Sequence, residues 1–256
     1  MGAKVVTITS GKGGVGKTTT TANIGVALAR LGKKTVVIDA DIGLRNLDVV
    51  MGLENRIVYD LVDVVEGRCR LRQAMIKHKQ FPDLYLIPAA QTRDKTAISP
   101  ADMIHITDKL RNDFDFIIID CPPSLNMLTV NALVAADGVV IPMQCEYYAL
   151  EGLSALMDTI TAIRDRLNPG LHIEGILRTM YDPRNKLTTE VNGQLFNYFG
   201  DAVYRTVVPR NVRLAEAPSY GKPVISYDRQ SRGAIAYLAL AGEMLRRSDE
   251  AARVSG

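Results

Sequence analysis

The stretch Gly11-Lys12-Gly13-Gly14-Val15-Gly16-Lys17-Thr18 decides the fold of this chain. It matches the pattern G-x-x-x-x-G-K-[ST], and it stands between an apolar strand candidate and a helical pattern. Glycines let successive backbone N–H groups turn toward phosphate oxygens, and the helix that follows adds the positive end of its dipole. The stretch therefore predicts a loop that binds ATP with Mg²⁺.

Two lysines of this loop have different expected roles. The ammonium group of Lys17 is placed to reach the β- and γ-phosphates, and the Thr18 hydroxyl is placed to coordinate Mg²⁺. Because Lys17 occupies the inner position, we expect Lys12 to point outward, toward a nucleotide in a second subunit; the alternative is a solvated loop lysine. The predicted cofactor-binding residues of the loop are Gly11, Lys12, Gly13, Gly14, Val15, Gly16, Lys17, Thr18 and Thr19.

Short β-branched runs alternate with longer helical patterns along the rest of the chain. The predicted strands are Lys4–Thr9, Thr35–Asp39, Leu84–Pro88, Phe116–Asp120, Gly138–Met143, His172–Thr179 and Tyr204–Val208. The predicted helices are Lys17–Leu31, Pro100–Arg111, Met127–Ala136, Glu151–Leu167, Thr188–Phe199 and Arg232–Arg246. This alternation predicts an α/β fold of the P-loop NTPase type, with a doubly wound, mostly parallel sheet flanked by helices. We predict one domain over residues 1–247 and a polar, frayed tail over residues 248–256.

The composition is that of an ordinary soluble globular protein. Of the 256 residues, 47% are hydrophobic and 23% are charged, and the formal net charge is +3; overall charge therefore does not argue for nucleic acid or a membrane. Cys69, Cys121 and Cys145 lie far apart, which predicts neither a disulfide framework nor a zinc site. Since no signal peptide and no bilayer-spanning apolar run is visible, the expected location is the cytoplasm.

Acidic residues follow two predicted strands, at the ends where ligands bind in open α/β sheets. Asp120 ends the run Phe116-Ile117-Ile118-Ile119 and is the predicted Mg²⁺ ligand, directly or through water. Asp39 and Asp41 follow the strand that begins at Thr35, and either could contact Mg²⁺ or orient the attacking water. The alternative for each is a strand-end carboxylate that caps a turn.

The lysine-bearing loop resembles the deviant Walker A motif, K-G-G-x-G-K-[ST], of the MinD/ParA family. Up to about residue 120 the chain is similar to MinD, the division-site ATPase, and beyond it to ParA/Soj, the chromosome-partition ATPase. The MinD-like stretches are Asp41–Asp48, Met51–Arg56, Val58–Leu61 and Pro88–Lys95; the ParA-like stretches are Asp120–Leu125, Gln144–Leu153, Val208–Leu214 and Glu216–Pro223. A natural intermediate, an engineered chimera and a computed sequence all fit this pattern.

The resemblance implies a mechanism that both relatives share. ATP joins two monomers into a homodimer, Lys12 crosses to the partner's phosphates, Asp41 positions the water, and Asp120 with Thr18 holds Mg²⁺. Glu146 resembles an acidic residue near the dimer interface that receives the crossing lysine. Hydrolysis then splits the dimer and reverses its binding to a surface. The segments that line the adenine in relatives contain Met180, Pro209 and Asn211.

The switched surface is expected to be DNA. Relatives use scattered arginines of the ParA-like half to hold the DNA backbone without reading sequence; Arg184 and Arg213 are the predicted contacts, and Arg210 could serve the nucleotide instead. A MinD-like membrane output needs a basic amphipathic helix, whereas the apolar spacing of Tyr237–Leu245 favours packing against the sheet. We therefore expect nucleoid association, no membrane binding, and an activator of the ParB or MinC/MinE kind.

The expected activity is that of a slow, partner-stimulated ATP hydrolase, and three other classes of protein are alternatives to it. A module that dimerises on ATP with negligible hydrolysis would carry the same loop. An iron–sulfur ATPase needs paired cysteines at a dimer interface, and no second cysteine has suitable spacing to Cys121. An amidoligase or dethiobiotin-type enzyme needs a small-substrate pocket, which the sequence does not reveal.

Overall fold

The computed structural model describes residues 2–44, 46–91, 94 and 96–254. Parts of the MinD-like stretches 41–48 and 88–95, and the last two residues of the predicted tail, lie outside the described residues. Within the described part of the chain, no helix combines the length and the apolar character needed to cross a bilayer.

A single sheet forms the centre of the fold. Its strands are β1 (Lys4–Ile8), β2 (Thr35–Asp39), β3 (Ile76–Lys77), β4 (Leu84–Ile87), β5 (Phe116–Asp120), β6 (Gly138–Gln144), β7 (His172–Tyr181) and β8 (Val203–Pro209). Their order is β3-β4-β2-β5-β1-β6-β7-β8. The pairings are parallel apart from that of β3 with β4, so the doubly wound α/β fold class is confirmed.

Helices cover both faces of the sheet. They are α1 (Lys17–Arg30), α2 (Leu47–Val50), α3 (Leu61–Val65), α4 (Leu71–Ala74), α5 (Pro100–Leu110), α6 (Met127–Ala135), α7 (Ala149–Arg166), α8 (Lys186–Phe199), α9 (Val212–Glu216), α10 (Val224–Tyr227) and α11 (Arg232–Val254), with 3₁₀ turns at Glu54–Arg56, Gly200–Ala202 and Ala217–Tyr220. Buried side chains of α1 and α11 share one core with the sheet, and those of α5, α6, α7 and α8 share another.

The seven predicted strands and six predicted helices are all present, with ends shifted by one or two residues in most cases. The two-residue strand β3 and the short helices α2, α3, α4, α9 and α10 were not predicted, because four or five residues are too few to show a period. The predicted packing of Tyr237–Leu245 is confirmed, since Tyr237, Leu240 and Met244 are fully buried.

The last helix is longer than predicted and continues past Arg246 to Val254. Two contacts hold this extension. Arg247 Nη2 lies 2.9 Å from the Glu243 carboxylate, one helical turn earlier, and Lys4 Nζ donates to Ser248 Oγ at 3.0 Å. The chain beyond residue 246 is therefore tied to β1, which its polar composition alone did not indicate.

Parallel pairing brings the functional segments to one edge of the sheet. Because β1, β2 and β5 are neighbours, Ile8 and Asp39 are both register partners of Asp120. The loops that leave the carboxyl ends of β1, β2, β5, β6, β7 and β8 therefore gather at the edge where ligands bind in this class of fold.

Candidate nucleotide site

The glycine-rich loop joins β1 to α1 and encloses a lysine. Gly16 has a φ of 91°, a left-handed conformation that a side chain would strain. Lys17 is buried, and its Nζ donates to Ser10 Oγ at 3.2 Å; Ser10 Oγ in turn donates to the Lys12 carbonyl at 2.6 Å. Burial lowers the pKa of Lys17, while the nearby Asp120 and Asp41 carboxylates oppose that shift. The Lys17 ammonium thus lies inside the loop beside two carboxylates.

The predicted metal-binding pair, Thr18 and Asp120, lies together at the start of α1 and the end of β5. Asp120 Oδ1 accepts a hydrogen bond of 3.0 Å from Thr21 Oγ1. Burial raises the pKa of Asp120 to about 7, and hydrogen bonds from the Thr18 and Thr21 hydroxyls limit the rise. Thr21 was not predicted, although it lies one helical turn after Thr18, on the same face of α1. Hydroxyl and carboxylate oxygens in this arrangement suit Mg²⁺.

Asp39 and Asp41 take different positions after β2. Asp39 Oδ1 accepts from the Asp41 N–H at 2.9 Å, and Asp39 Oδ2 accepts from the Leu47 N–H at 3.3 Å. Burial, together with the Asp120 charge, raises the pKa of Asp39 well above its ordinary value. Asp39 therefore caps the segment after β2, and its role as a metal ligand stays a prediction. Asp41 is also buried and acts electrostatically on both Lys17 and Asp120.

A cavity of about 390 Å³ adjoins the glycine-rich loop. Three of its lining residues are the predicted adenine contacts Met180, Pro209 and Asn211, and Val15, Gly16 and Thr19 of the loop region line it too. Asn211 Oδ1 is buried and has no hydrogen-bond partner within the described residues. Met180 has a φ of 48°, a strained conformation for a non-glycine residue that turns the chain at the end of β7. A cavity of this size with an unused acceptor suits a purine.

Among the lining residues of this cavity that were not predicted, Thr179 and Tyr237 make hydrogen bonds to the phosphate loop and to α1. Thr179 Oγ1 donates to the Val15 carbonyl at 2.8 Å, so the end of β7 is fastened to the phosphate loop. Tyr237 of α11 also lines the cavity, and its hydroxyl lies 3.1 Å from Thr20 Oγ1. Arg210, the alternative nucleotide contact, lies in the cavity wall as well.

Lys12 extends from its loop toward Glu146, which follows β6, and its crossing to a second subunit stays a prediction. Its Nζ lies 3.0 Å from Glu146 Oε2 in the same chain, and the two side chains are 54% and 45% exposed. The loop backbone beside it packs closely against α7, and a Cβ added to Gly11 would overlap the Gly152 carbonyl. The structure thus brings Lys12 and Glu146 together at the surface beside the nucleotide site.

Exposed apolar side chains follow the carboxyl ends of the neighbouring strands. Tyr147 and Tyr148 are 74% and 65% exposed and form an edge-to-face pair with 4.9 Å between ring centroids. Leu44, Leu125 and Met127, which follow β2 and β5, are exposed too. Exposed apolar groups gathered beside a polar site are typical of a surface that binds another protein.

The two predicted DNA contacts each lie beside carboxylates. Arg184 Nη2 is 2.7 Å from Asp182 Oδ2, and Arg184 Nε donates to Asp182 Oδ1 at 2.9 Å. Arg213 Nη1 is 2.9 Å from Glu216, and its Nε is 3.3 Å from Asp228. Both arginines are exposed, but the carboxylates of Asp182, Glu216 and Asp228 lie beside them and offset their positive charge.

The P-loop nucleoside triphosphatase fold is defined by the features described above: a phosphate loop between β1 and α1, a buried lysine inside it, and a carboxylate at the end of a neighbouring strand. An AAA domain model matches residues 3–173. The chain is 44% identical over 260 residues to the sporulation initiation inhibitor protein Soj of Bacillus subtilis, covering 94% of this chain and 98% of Soj. It belongs to the MinD/ParA family, as its loop motif predicted.

Two MinD proteins add to this assignment. The septum site-determining protein MinD of Bacillus subtilis is 43% identical over 246 residues, covering 96% of this chain and 90% of that protein. The structure of MinD from Pyrococcus horikoshii OT3, complexed with Mg-ADP, matches with a TM-score of 0.79 at 27% identity and covers 99% of both chains. The similarity to Soj and the similarity to MinD therefore each cover both halves of this chain.

Proposed function

We propose that this chain is a Mg²⁺-dependent ATPase that dimerises on ATP and positions cellular cargo, in chromosome partition or cell division, by nucleotide-switched binding to a surface. Its membership of the MinD/ParA family supports ATPase activity. Its cofactors are ATP and Mg²⁺, which fit the loop, the hydroxyl–carboxylate pair and the purine-sized cavity described above.

The observation that carries the dimer proposal is the position of Lys12. A lysine that served only its own nucleotide would lie inside the loop, as Lys17 does, but Lys12 lies outside it, beside Glu146. The exposed pair Tyr147 and Tyr148 directly follows Glu146. A second copy of the chain would cover these rings and bring each Lys12 to the phosphates of the other copy, in the manner of an arginine finger.

The remaining residues of the site act mainly by position and charge. Lys17 binds the β- and γ-phosphates, and Thr18 with Asp120 holds Mg²⁺; the bound ion neutralises phosphate charge. Asp41 orients the attacking water from the segment after β2. Asp39 fixes that segment through the N–H groups of Asp41 and Leu47, so we propose a positioning role for it, with metal binding as the alternative.

We propose nonspecific DNA as the surface, with Arg184 and Arg213 among the contacts. Ion pairs between exposed side chains contribute little, so phosphate oxygens can replace Asp182, Glu216 and Asp228 as partners of these arginines. The 44% identity to Soj supports a partition role, and the nearly equal identity to MinD keeps a membrane output as the alternative.

The dimer proposal is tested by light scattering after gel filtration, with phosphate release measured in parallel. We expect the wild-type chain to dimerise with ATP and Mg²⁺. Lys12→Ala should bind ATP yet stay monomeric and inactive, and Lys17→Ala should lose ATP binding. Lys109→Ala, at an exposed site on α5, is the matched control. Dimerisation and turnover by Lys12→Ala would contradict the proposal, and a dimer without phosphate release would identify a binding module.

The surface is tested by sedimentation with plasmid DNA or anionic liposomes, in ATP or ADP. We expect ATP-dependent cosedimentation with DNA that Arg184→Ala/Arg213→Ala weakens and added salt reverses. The control variant is Arg164→Ala/Arg166→Ala, which removes two positive charges at exposed positions on α7. ATP-dependent pelleting with liposomes and not with DNA would assign the MinD-like output.

A further inference from the structure

A groove lined by cations runs beside β3, the edge strand of the sheet. It consists of two adjoining cavities, of about 140 Å³ and 460 Å³, which share His78 and Lys79 in their walls. Neither cavity shares a lining residue with the nucleotide cavity. We call it the basic groove, and define it by Arg56, Lys77, His78, Lys79, Lys222 and Ser226.

We propose that the basic groove binds an extended acidic peptide segment of a partner protein. This surface has no part in the ATPase mechanism set out above, and the proposal does not depend on that mechanism. Four kinds of observation support it: the charge of the lining side chains, an unused hydroxyl, the open edge of β3, and the shape of the two cavities.

The charge of the groove is of one sign. Lys222 lines the smaller cavity, Arg56 and Lys77 line the larger one, and Lys79 lines both. Among the described residues that line the two cavities there is no aspartate or glutamate. Burial lowers the pKa of His78 to about 4, and the positive charges of Arg56 and Lys79 add to this shift. Arg56, Lys79 and Lys222 therefore line the groove without an opposing carboxylate in its walls, and Lys77, whose Nζ lies over the Tyr85 ring, adds a fourth positive charge beside them.

The smaller cavity also offers a free hydroxyl. Ser226 lines it together with Lys222, and Ser226 Oγ is buried without a hydrogen-bond partner in the described part of the chain. Leaving a buried hydroxyl unpaired is unfavourable. A carboxylate in this cavity can accept a charge-assisted hydrogen bond from Lys222, and a second hydrogen bond from Ser226 once the buried hydroxyl rotates toward the cavity.

The backbone of β3 is open on the side away from β4. The His78 N–H donates to the Leu84 carbonyl at 2.9 Å, so in this antiparallel pair the N–H and C=O of Lys77 point outward. Arg56 Nη1 donates to that outward carbonyl at 2.8 Å, which fixes a guanidinium at the sheet edge. Because Arg56 occupies that carbonyl, an extended chain at this edge can pair with the outward N–H of Lys77 and place a side chain beside the Arg56 guanidinium.

The shape of the groove favours a peptide over other anions. The smaller cavity is recessed between residues 51–53, 78–80 and 221–226, whereas the phosphates of duplex DNA lie on a convex surface. A free inorganic anion would fill that cavity and leave Arg56 and Lys77 unused. A flexible acidic segment can place one carboxylate inside the cavity and others along the open part of the groove.

The probe for this proposal is a fluorescein-labelled octaglutamate peptide, titrated with the full chain at low salt and followed by anisotropy. We expect saturable binding, with affinity about tenfold weaker for Lys79→Glu/Lys222→Glu and about threefold weaker for Ser226→Ala. Lys109→Glu/Arg166→Glu carries the same charge change at exposed positions on α5 and α7 and should alter the affinity less than about twofold. Circular dichroism and binding of a fluorescent ATP analogue verify that each variant is folded.

Three results would overturn the proposal. One is equal binding of an uncharged Gly-Ser octapeptide. Another is an equal loss of affinity in the groove variant and in the α5/α7 control. The third is binding of duplex DNA or inorganic tripolyphosphate, abolished by Lys79→Glu/Lys222→Glu, without binding of octaglutamate. Because ATP binding and dimerisation are measured separately, failure here is distinguishable from failure of the proposed ATPase function.

Discussion

Lys12 and Glu146 form an ion pair within one chain, with 3.0 Å between Nζ and Oε2. In the proposed dimer, Lys12 must leave this partner to reach the other copy's phosphates. Glu146→Gln should therefore promote ATP-dependent dimerisation, by at most about thirtyfold in the dimer dissociation constant, since each copy releases one exposed pair and such a pair contributes up to about 1 kcal/mol. The dissociation constant is measured by analytical ultracentrifugation with ATP and Mg²⁺.

The same variant separates two roles of Glu146. Weaker dimerisation of Glu146→Gln would show that this carboxylate receives the crossing lysine of the partner, as the family resemblance implies. Glu151→Gln, an exposed change in the first turn of α7, is the control for loss of a negative charge near the same surface. Thermal unfolding of the nucleotide-free chain should change little in either variant.

Gly52 packs against Gly221, and this contact joins the segment after β2 to the segment after β8. Gly52 has a φ of 66°, and a Cβ on it would overlap the Gly221 carbonyl oxygen. Gly52→Ala should therefore lower the free energy of unfolding by about 3 kcal/mol or more, through strain and displaced backbone. Urea unfolding monitored by circular dichroism measures the change.

Gly193 provides the opposite control. It lies inside α8, and a Cβ on it would meet nothing within 4 Å. Gly193→Ala should stabilise the chain by about 0.5–1 kcal/mol, because alanine is the better helix former. A neutral effect of Gly52→Ala would mean that the two segments separate easily, and the close contact would then not constrain the fold.

These glycines also show where prediction from sequence ends. The phosphate loop, the seven longer strands and the six longer helices were predictable, because their signals are local motifs and periods of two or 3.6 residues. The contact of Gly52 with Gly221 depends on the strand order and on two irregular loops, and neither has a local signal. The two-residue strand β3, which forms the wall of the basic groove, was missed for the same reason.

The residues of the nucleotide site also divide into those that the sequence predicts and those that it does not. The motif and the strand ends indicated Lys17, Thr18 and Asp120, whose positions follow from the P-loop arrangement. Thr179, which donates to the Val15 carbonyl, was missed, because that contact joins residues remote in sequence. Family resemblance placed Met180, Pro209 and Asn211 near the nucleotide, and the structure groups them in one cavity.

A charged cluster lies at the amino ends of β1 and β7, at the edge of the sheet opposite the nucleotide site. It should make the free energy of unfolding depend on pH. His172 Nε2 lies 3.1 Å from Glu174 Oε2, and Lys4 Nζ lies 2.7 Å from the same carboxylate. The hydrogen bond to Glu174 raises the pKa of His172. The protonated His172 therefore stabilises the fold through Glu174. This stabilisation is fully present below the unfolded pKa of about 6.5 and is lost as pH rises through the higher folded pKa.

His172→Gln should therefore lower the free energy of unfolding at pH 5.5 by about 0.5 kcal/mol, a small effect because the side chain is half exposed. At pH 9 the variant and the wild-type chain should be equally stable. Urea unfolding at both pH values measures this, with His105→Gln at an exposed position on α5 as the control. An equal loss at both pH values would indicate that His172 acts through packing and not through its charge.

The unused acceptor of Asn211 should determine which base the site prefers. Asn211 lines the cavity beside the phosphate loop, and its Oδ1 is buried without a partner in the described residues. Adenine carries an amino group that can donate to this oxygen, whereas guanine has a carbonyl at the equivalent ring position. Asn211→Ala should thus weaken ATP binding about fivefold to tenfold, the effect of one buried hydrogen bond, and leave GTP binding unchanged. Competition against a fluorescent ATP analogue measures both affinities, and Asn197→Ala, exposed on α8, controls for loss of an amide elsewhere. An equal loss of ATP and GTP affinity would show that Asn211 supports the loop and does not read the base.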